Sequence, residues 1–181
     1  MKLFKIHALL AMLIISLSSF AFAKSAKTID NDANSAINKF ISENKSADAF
    51  LVKAKAFLVF PSVKEAGFFV GGKYGEGVLR VGRTSKGYYS MTSASIGMQM
   101  GAQKYSMIIA FTTNSALNKF LLDDDEWETD VDGKISVAKW NSKEELDVKY
   151  TDPIVAFVFS SKGMMGSISM EGTKFKKIKA N

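Results

Sequence analysis

Between Ala66 and Gly101 the chain carries glycine at a density that flat strands do not support, inside sequence that otherwise reads as β structure. Gly67, Gly71, Gly72, Gly75, Gly77 and Gly82 interrupt strand-like residues, and Ile96, Met98, Met100 and Ala102 alternate with Gly97, Gln99, Gly101 and Gln103. Glycine within a strand marks a bulge, sharp coiling or the close approach of another backbone. The stretch therefore predicts a strongly curved, mostly antiparallel glycine-rich β-sheet.

The flanking segments make the fold class α+β. Lys24 to Asp30 is polar and is expected to be loose. From Ala33 the apolar positions Ala36, Ile37, Phe40 and Ile41 recur at the spacing of one helix face, and Asn44 is a plausible stop. Ser46 can cap a second short helix with Ala47, Phe50, Leu51 and Ala54 on one side. Ala56 to Phe60, closed by Pro61, reads as a buried strand. Met107 to Phe111 and Ile154 to Phe159 are continuous apolar runs, as expected of central strands. A short helix is expected near residues 114–122, followed by an acidic turn region from Asp123 to Gly133. Ser167 to Lys179 alternates again. No internal repeat or long linker divides the chain.

The first 23 residues have the three zones of a cleavable export signal: Lys2 and Lys5, an apolar core from Ala8 to Phe20, and small residues at Ala21 and Ala23. The apolar run falls short of the roughly 20 residues that span a bilayer. The expected organisation is a signal peptide, 1–23, and a single domain, 24–181, exported to the periplasm or the medium. The leader takes two of the 24 basic residues and no acid, which leaves the mature chain at +4. That mild excess suits an anionic surface and does not by itself indicate nucleic acid.

Absences bound the chemistry. The chain has no cysteine, and its one histidine, His7, lies in the leader. Cys–His pairs, Ser-His-Asp triads and imidazole or thiolate metal sites are thereby excluded from the mature protein. Gly67-x4-Gly72-Lys73 imitates a phosphate loop, but Tyr74 replaces the magnesium-binding hydroxyl and Phe68-Phe69-Val70 is strand-like. Ser42-x-x-Lys45 lacks the companion motifs of serine–lysine enzymes. Glu128, Asp130, Asp132 and Gly133 track a calcium loop whose twelfth position is Lys139, where a glutamate is required, so Asp132-Gly133 is read as a hairpin turn before a strand from Lys134 to Trp140. Asp123, Asp124 and Asp125 leave only adventitious calcium affinity. No cofactor, metal or catalytic residue is expected.

Ala54-Lys55-Ala56 leading into Leu58-Val59-Phe60-Pro61, then Ala66-Gly67-Phe68-Phe69-Val70-Gly71-Gly72-Lys73-Tyr74-Gly75-Glu76-Gly77, resembles the SYLF lipid-binding domain family. So do Gly87-Tyr88-Tyr89, Ala94-Ser95-Ile96-Gly97-Met98-Gln99, Ala116-Leu117-Asn118-Lys119-Phe120, Trp127, Val131-Asp132-Gly133, Lys162-Gly163 and Glu171-Gly172-Thr173-Lys174. The resemblance implies a non-enzymatic phospholipid-binding module. Eukaryotic relatives bind phosphoinositides through a basic amphipathic helix, and fungal ones are linked to actin. Carried onto this chain, it points to Lys39, Phe40, Ile41, Lys45, Phe50, Lys53 and Lys55. The second choice rests on the C-terminal basic stretch itself, Lys174, Lys176, Lys177 and Lys179 with Phe175 and Ile178 among them. The expected partner is an anionic phospholipid or membrane surface, with no nucleic acid and room for a protein partner in the envelope. The amphipathic stripe from Ala33 to Phe50 could face either lipid or the protein's own sheet. The other readings are a carrier that encloses an acyl chain beside residues such as Met98 and Met100, and an envelope scaffold.

Overall fold

The structure, a computed structural model, describes residues 24–44, 46–122, 126–129, 131–140, 146–147, 152–160, 163–164 and 168–181. The leader 1–23, Lys45, the acidic residues Asp123, Asp124, Asp125 and Asp130, and the side chains of Phe68, Phe69, Val70, Met98 and Met100 lie outside the description.

Two long strands dominate. β1 (Ala56–Val81) and β2 (Thr84–Phe111) form one antiparallel ribbon of 26 and 28 residues. Drawn out straight, β1 would span about 85 Å at 3.3 Å per residue, whereas a globule of this length is about 40 Å across. The ribbon must curl, and three register shifts help it to: between Phe60 and Val63, between Gly67 and Phe69, and between Leu79 and Arg80. The curl brings Gly77 back onto the start of its own strand. A side chain there would meet the Val59 carbonyl oxygen and lie 2.6 Å from the Phe60 ring, so this contact needs glycine. Gly82, expected inside a strand, instead forms the turn between β1 and β2 at φ +59°.

Pro61 does not end the first strand. It sits in the first register shift, where the missing N–H leaves no gap in the ladder, and its carbonyl accepts from Ser106 Oγ at 2.9 Å. Along its second edge β2 pairs with β9 (Thr173–Ile178) through residues 88–93 and with β7 (Ile154–Ser160) through 106–111. The two-residue strands β3 (Trp127–Glu128), β4 (Ser136–Val137) and β8 (Gly163–Met164) extend this sheet, β4 pairing in parallel with β7. Residues 134–140 are thus not one hairpin strand: β4 joins the main sheet, and β5 (Lys139–Trp140) pairs with β6 (Leu146–Asp147). The architecture is α+β, with a strongly curled, mostly antiparallel sheet.

The sheet is covered on both faces, which is why β7 and the end of β2 read as unbroken apolar runs. On one face lie α1 (Ala26–Glu43) and α2 (Ala47–Lys53), burying Ile29, Ala33, Ala36, Phe40, Phe50 and Leu51 against Phe57, Val59, Ile108, Phe157 and Phe159. The Phe40 ring sits 5.0 Å from that of Phe157 and 5.5 Å from that of Phe159. On the other face α3 (Asn114–Leu122) sets Phe120 among Tyr89, Phe111, Trp127 and Phe175.

The helix begins seven residues before Ala33, so Lys24 to Asp30 is ordered. Ser25 caps it, its hydroxyl accepting from Thr28 N at 3.2 Å, and Ile29 is fully buried. Asp30 then ties the helix to the ribbon, accepting from Arg80 at 2.9 Å, Ser85 at 2.8 Å and the Tyr88 hydroxyl at 2.9 Å. Asn44 does end α1, donating from Nδ2 to the Phe40 carbonyl at 2.7 Å. Ser46 stands at the start of α2 but makes no side-chain cap.

Candidate functional site

Of the seven first-choice positions, Lys45 lies outside the described residues, and the other six divide into buried, half-buried and exposed. Phe40 and Phe50 are 0% and 1% exposed and belong to the core beneath α1 and α2. Ile41 packs half-buried against the same cluster. The amphipathic stripe, which could have faced lipid or protein, therefore lies against the sheet. Lys39 is half-buried, donating from Nζ to the Ser160 carbonyl at 2.7 Å with Glu43 at 3.7 Å. Lys53 and Lys55 are exposed and follow Val52, which is 76% exposed. The backbone N–H of Lys55 donates to the Phe111 carbonyl at 2.8 Å, which fixes this end of α2 beside the sheet.

The second set also divides. Lys174 lies between Glu126 at 2.7 Å and Glu128 at 3.3 Å, and these two carboxylates raise its pKa. Lys176, Lys177 and Lys179 are exposed. Register then adds cations that the sequence motifs do not connect. Tyr88 pairs with Ile178, which sets Lys86 across from the end of β9, while a side chain on Gly87 would lie 3.7 Å from Lys177 Cε. Arg83, also exposed, stands in the turn at the tip of the ribbon. The free end of the β2–β9 pair thus carries Lys86 and Lys176 on one face of the strands and Lys177 and Lys179 on the other. No ion pair to an acid engages any of these four among the described residues. Beyond Phe175 the outer edge of β9 has no strand partner among the described residues.

A polar group is buried deeper in the curl. Glu65 and Lys73 are 8% and 9% exposed. Gln103 donates to Glu65 at 3.0 Å, and the Lys73 ammonium donates to the Ser169 carbonyl at 2.8 Å. Desolvation lowers the Lys73 pKa, and the Glu65 charge partly opposes that. The Tyr105 hydroxyl is buried without a hydrogen-bond partner among the described residues; burial foremost, then Glu65, pushes its pKa up. The backbone from Gly67 to Lys73 pairs with β2 between Gly101 and Ser93 and is strand, not a phosphate cradle. Asp132 Oδ2 accepts from Glu128 N at 2.7 Å and so shapes a turn. Among the described residues no three acidic, histidine or cysteine groups converge on a possible metal position, and no helix is long and apolar enough to cross a membrane.

The apolar recess lined by Leu58, Ile109, Phe111, Phe120, Trp127, Ile135, Ile154 and Phe175 is too narrow to admit a water molecule. Pockets that enclose ligands run to about 300–1,000 Å³.

No curated protein matches the chain. Residues 92–180 match the model of the family described as Ysc84, Las17-binding protein actin regulator. This region holds most of β2 together with α3, β7 and β9, and so includes Lys176, Lys177 and Lys179 but not Lys86. Over those residues the chain matches the Ysc84, or SYLF, family that its glycine-rich motifs resemble.

Proposed function

We propose that this protein is a non-enzymatic phospholipid-binding module of the cell envelope that docks on anionic bilayers through the cationic end of the β2–β9 pair. The observation that carries the reading is the gathering of Lys86, Lys176, Lys177 and Lys179 at one strand end, two on each face, all exposed and none ion-paired among the described residues. One lysine held near an anionic surface contributes about 1 kcal/mol, so four together reach about 4 kcal/mol, enough for reversible attachment. The lysines of β9 also guard an open strand edge against pairing with another chain. Lys86 lies on β2, away from that edge, which favours a charged surface over edge protection alone.

The tip of α2 supports a second contact, because Val52 supplies exposed apolar surface beside Lys53 and Lys55. The burial of Phe40 and Phe50 argues against deep insertion of α1. The described recess is too small for an acyl chain, while the side chains of Met98 and Met100 lie outside the description; the family description keeps a protein partner as the competing reading. The leader-like pattern of residues 1–23 supports placement in the envelope.

Sedimentation with phosphatidylglycerol-containing vesicles, compared with pure phosphatidylcholine at low and high salt, tests the proposal. Binding should require the anionic lipid and weaken with salt. Lys86→Glu, Lys176→Glu and Lys179→Glu combined should abolish it, whereas Lys53→Glu with Lys55→Glu should weaken it less. Undiminished binding by the folded triple variant would show the surface to be wrong. Absence of vesicle binding by the parent would favour the protein partner.

A further inference from the structure

The residue that follows the expected cleavage point is already built into the fold. The backbone nitrogen of Lys24 donates to Glu76 Oε2 at 3.0 Å, and the other carboxylate oxygen accepts from the Tyr74 hydroxyl at 2.7 Å. The Lys24 side chain does not compete for this carboxylate, because its ammonium is paired with Asp32 at 2.7 Å. One residue on, Ser25 caps α1, and Ala26 N donates to the Asn181 carbonyl at 2.9 Å. The chain is therefore tied to β1, to α1 and to Asn181, three residues past β9, within three residues of the Ala23–Lys24 bond.

We propose that removal of the leader converts this hydrogen bond into an ion pair, making the new α-ammonium of Lys24 a structural group of the mature protein with Glu76 as its site. The inference rests on the export reading for its cleavage point, and its geometry is independent of the lipid surface. Hydrolysis of the Ala23–Lys24 peptide bond by a leader peptidase consumes one water. It leaves a carboxylate on Ala23 of the released leader and a protonated amine on Lys24. The donor atom stays the same while its charge changes from neutral to +1, opposite a carboxylate already in place. A charge-assisted hydrogen bond is shorter and about twice as strong as a neutral one. Processing thus tightens the clamp of α1 on the ribbon without rearranging it. The charged and titratable groups facing the amine are Glu76 and Tyr74 on β1, and Lys24 with its partner Asp32 beside α1.

The test compares mature protein beginning at Lys24 with a chain that retains Phe22 and Ala23, each with and without Glu76→Gln. The readout is the rate at which a mild acylating probe modifies the α-amine at pH 7, located by peptide mass. Pairing with Glu76 should hold the amine protonated, so the Lys24-start protein should react about three- to tenfold more slowly than its Glu76→Gln variant, a shift of about half to one pKa unit. The extended chain should show no dependence on Glu76. Should Glu76→Gln fail to fold, salt replaces it: screening should speed acylation of the parent, and a salt-independent rate would overturn the proposal. Equal rates with and without Glu76 in folded protein would overturn it too. Intact mass of exported material separately reports the cleavage point, so a cut elsewhere counts against the export reading, while the acylation comparison judges the Glu76 site.

Discussion

Phe40 separates the two roles that an amphipathic helix can play. Its ring is fully buried, 5.0 Å from Phe157 and 5.5 Å from Phe159, on the face of α1 that also buries Ile29, Ala33 and Ala36. Phe40→Ala removes a core side chain and opens a cavity between two other rings, a change that costs about 3–5 kcal/mol. Each ring pair lost accounts for about 0.5–1.5 kcal/mol of that. For a domain of this size the melting temperature should fall by roughly 6–20 °C. A phenylalanine that faced lipid would behave differently in free protein, where surface substitutions stay within about 0.5 kcal/mol. The assay is urea denaturation followed by circular dichroism, paired with vesicle sedimentation at a temperature where parent and variant are both folded. The packing account requires a large loss of stability with vesicle binding retained in the folded fraction. Unchanged stability with lost binding would refute it and return α1 to the membrane.

Gly77→Ala should destabilise the protein by about 1–3 kcal/mol or prevent folding, because the new methyl meets the Val59 carbonyl and the Phe60 ring; a denaturation midpoint within error of the parent would contradict the close contact. Lys174→Gln should leave anionic-vesicle binding unchanged, since that lysine already faces Glu126 and Glu128; sedimentation checks this. Tyr74, Tyr88, Tyr89 and Tyr105 all have raised pKa values in the fold, Tyr74 to about 12. The unfolded chain therefore loses these protons first, and stability should fall as pH rises from about 10 towards 12. Lys73 acts in the opposite sense but is one group against four. Absorbance of more than one tyrosinate near pH 10, the fifth tyrosine being Tyr150 outside the described residues, in protein still folded by circular dichroism would count against this.

Periodicity located the elements that local spacing governs. The helix near 114–122, the central strands at Met107–Phe111 and Ile154–Phe159, and the curl of the glycine-rich stretch all follow from patterns within a few residues. The start of α1 was hidden because Lys27, Thr28 and Asn31 face solvent. The first turns are held by Ile29 and by the bonds of Asp30 to Arg80, Ser85 and Tyr88, groups 50 or more residues away. Pro61 misled for a related reason: whether a proline ends a strand or fills a bulge depends on what the opposite strand does. The site was less legible still. An apolar stripe does not say what covers it, and a run of lysines does not say which have acidic partners. Lys174 and Lys176 differ only in what β3 brings alongside. Lys86 joins the cationic end through register alone.

The shared strand β2 also bears on how the molecule is assembled. Its pairing with β1 can close like a zipper from Val81 opposite Thr84 outward to Ala56 opposite Phe111, each step a modest extension of a loop already closed. The second edge has no such local route. Residues 88–93 and 106–111 must wait for partners at 173–178 and 154–159, long-range pairings of the kind that slow folding. In that interval β2 presents an unpaired, strongly apolar edge, which invites association between chains. Refolding yield should therefore fall steeply with protein concentration, and a peptide of the β7 sequence added in trans should poison it by capping residues 106–111 before the chain's own strand arrives.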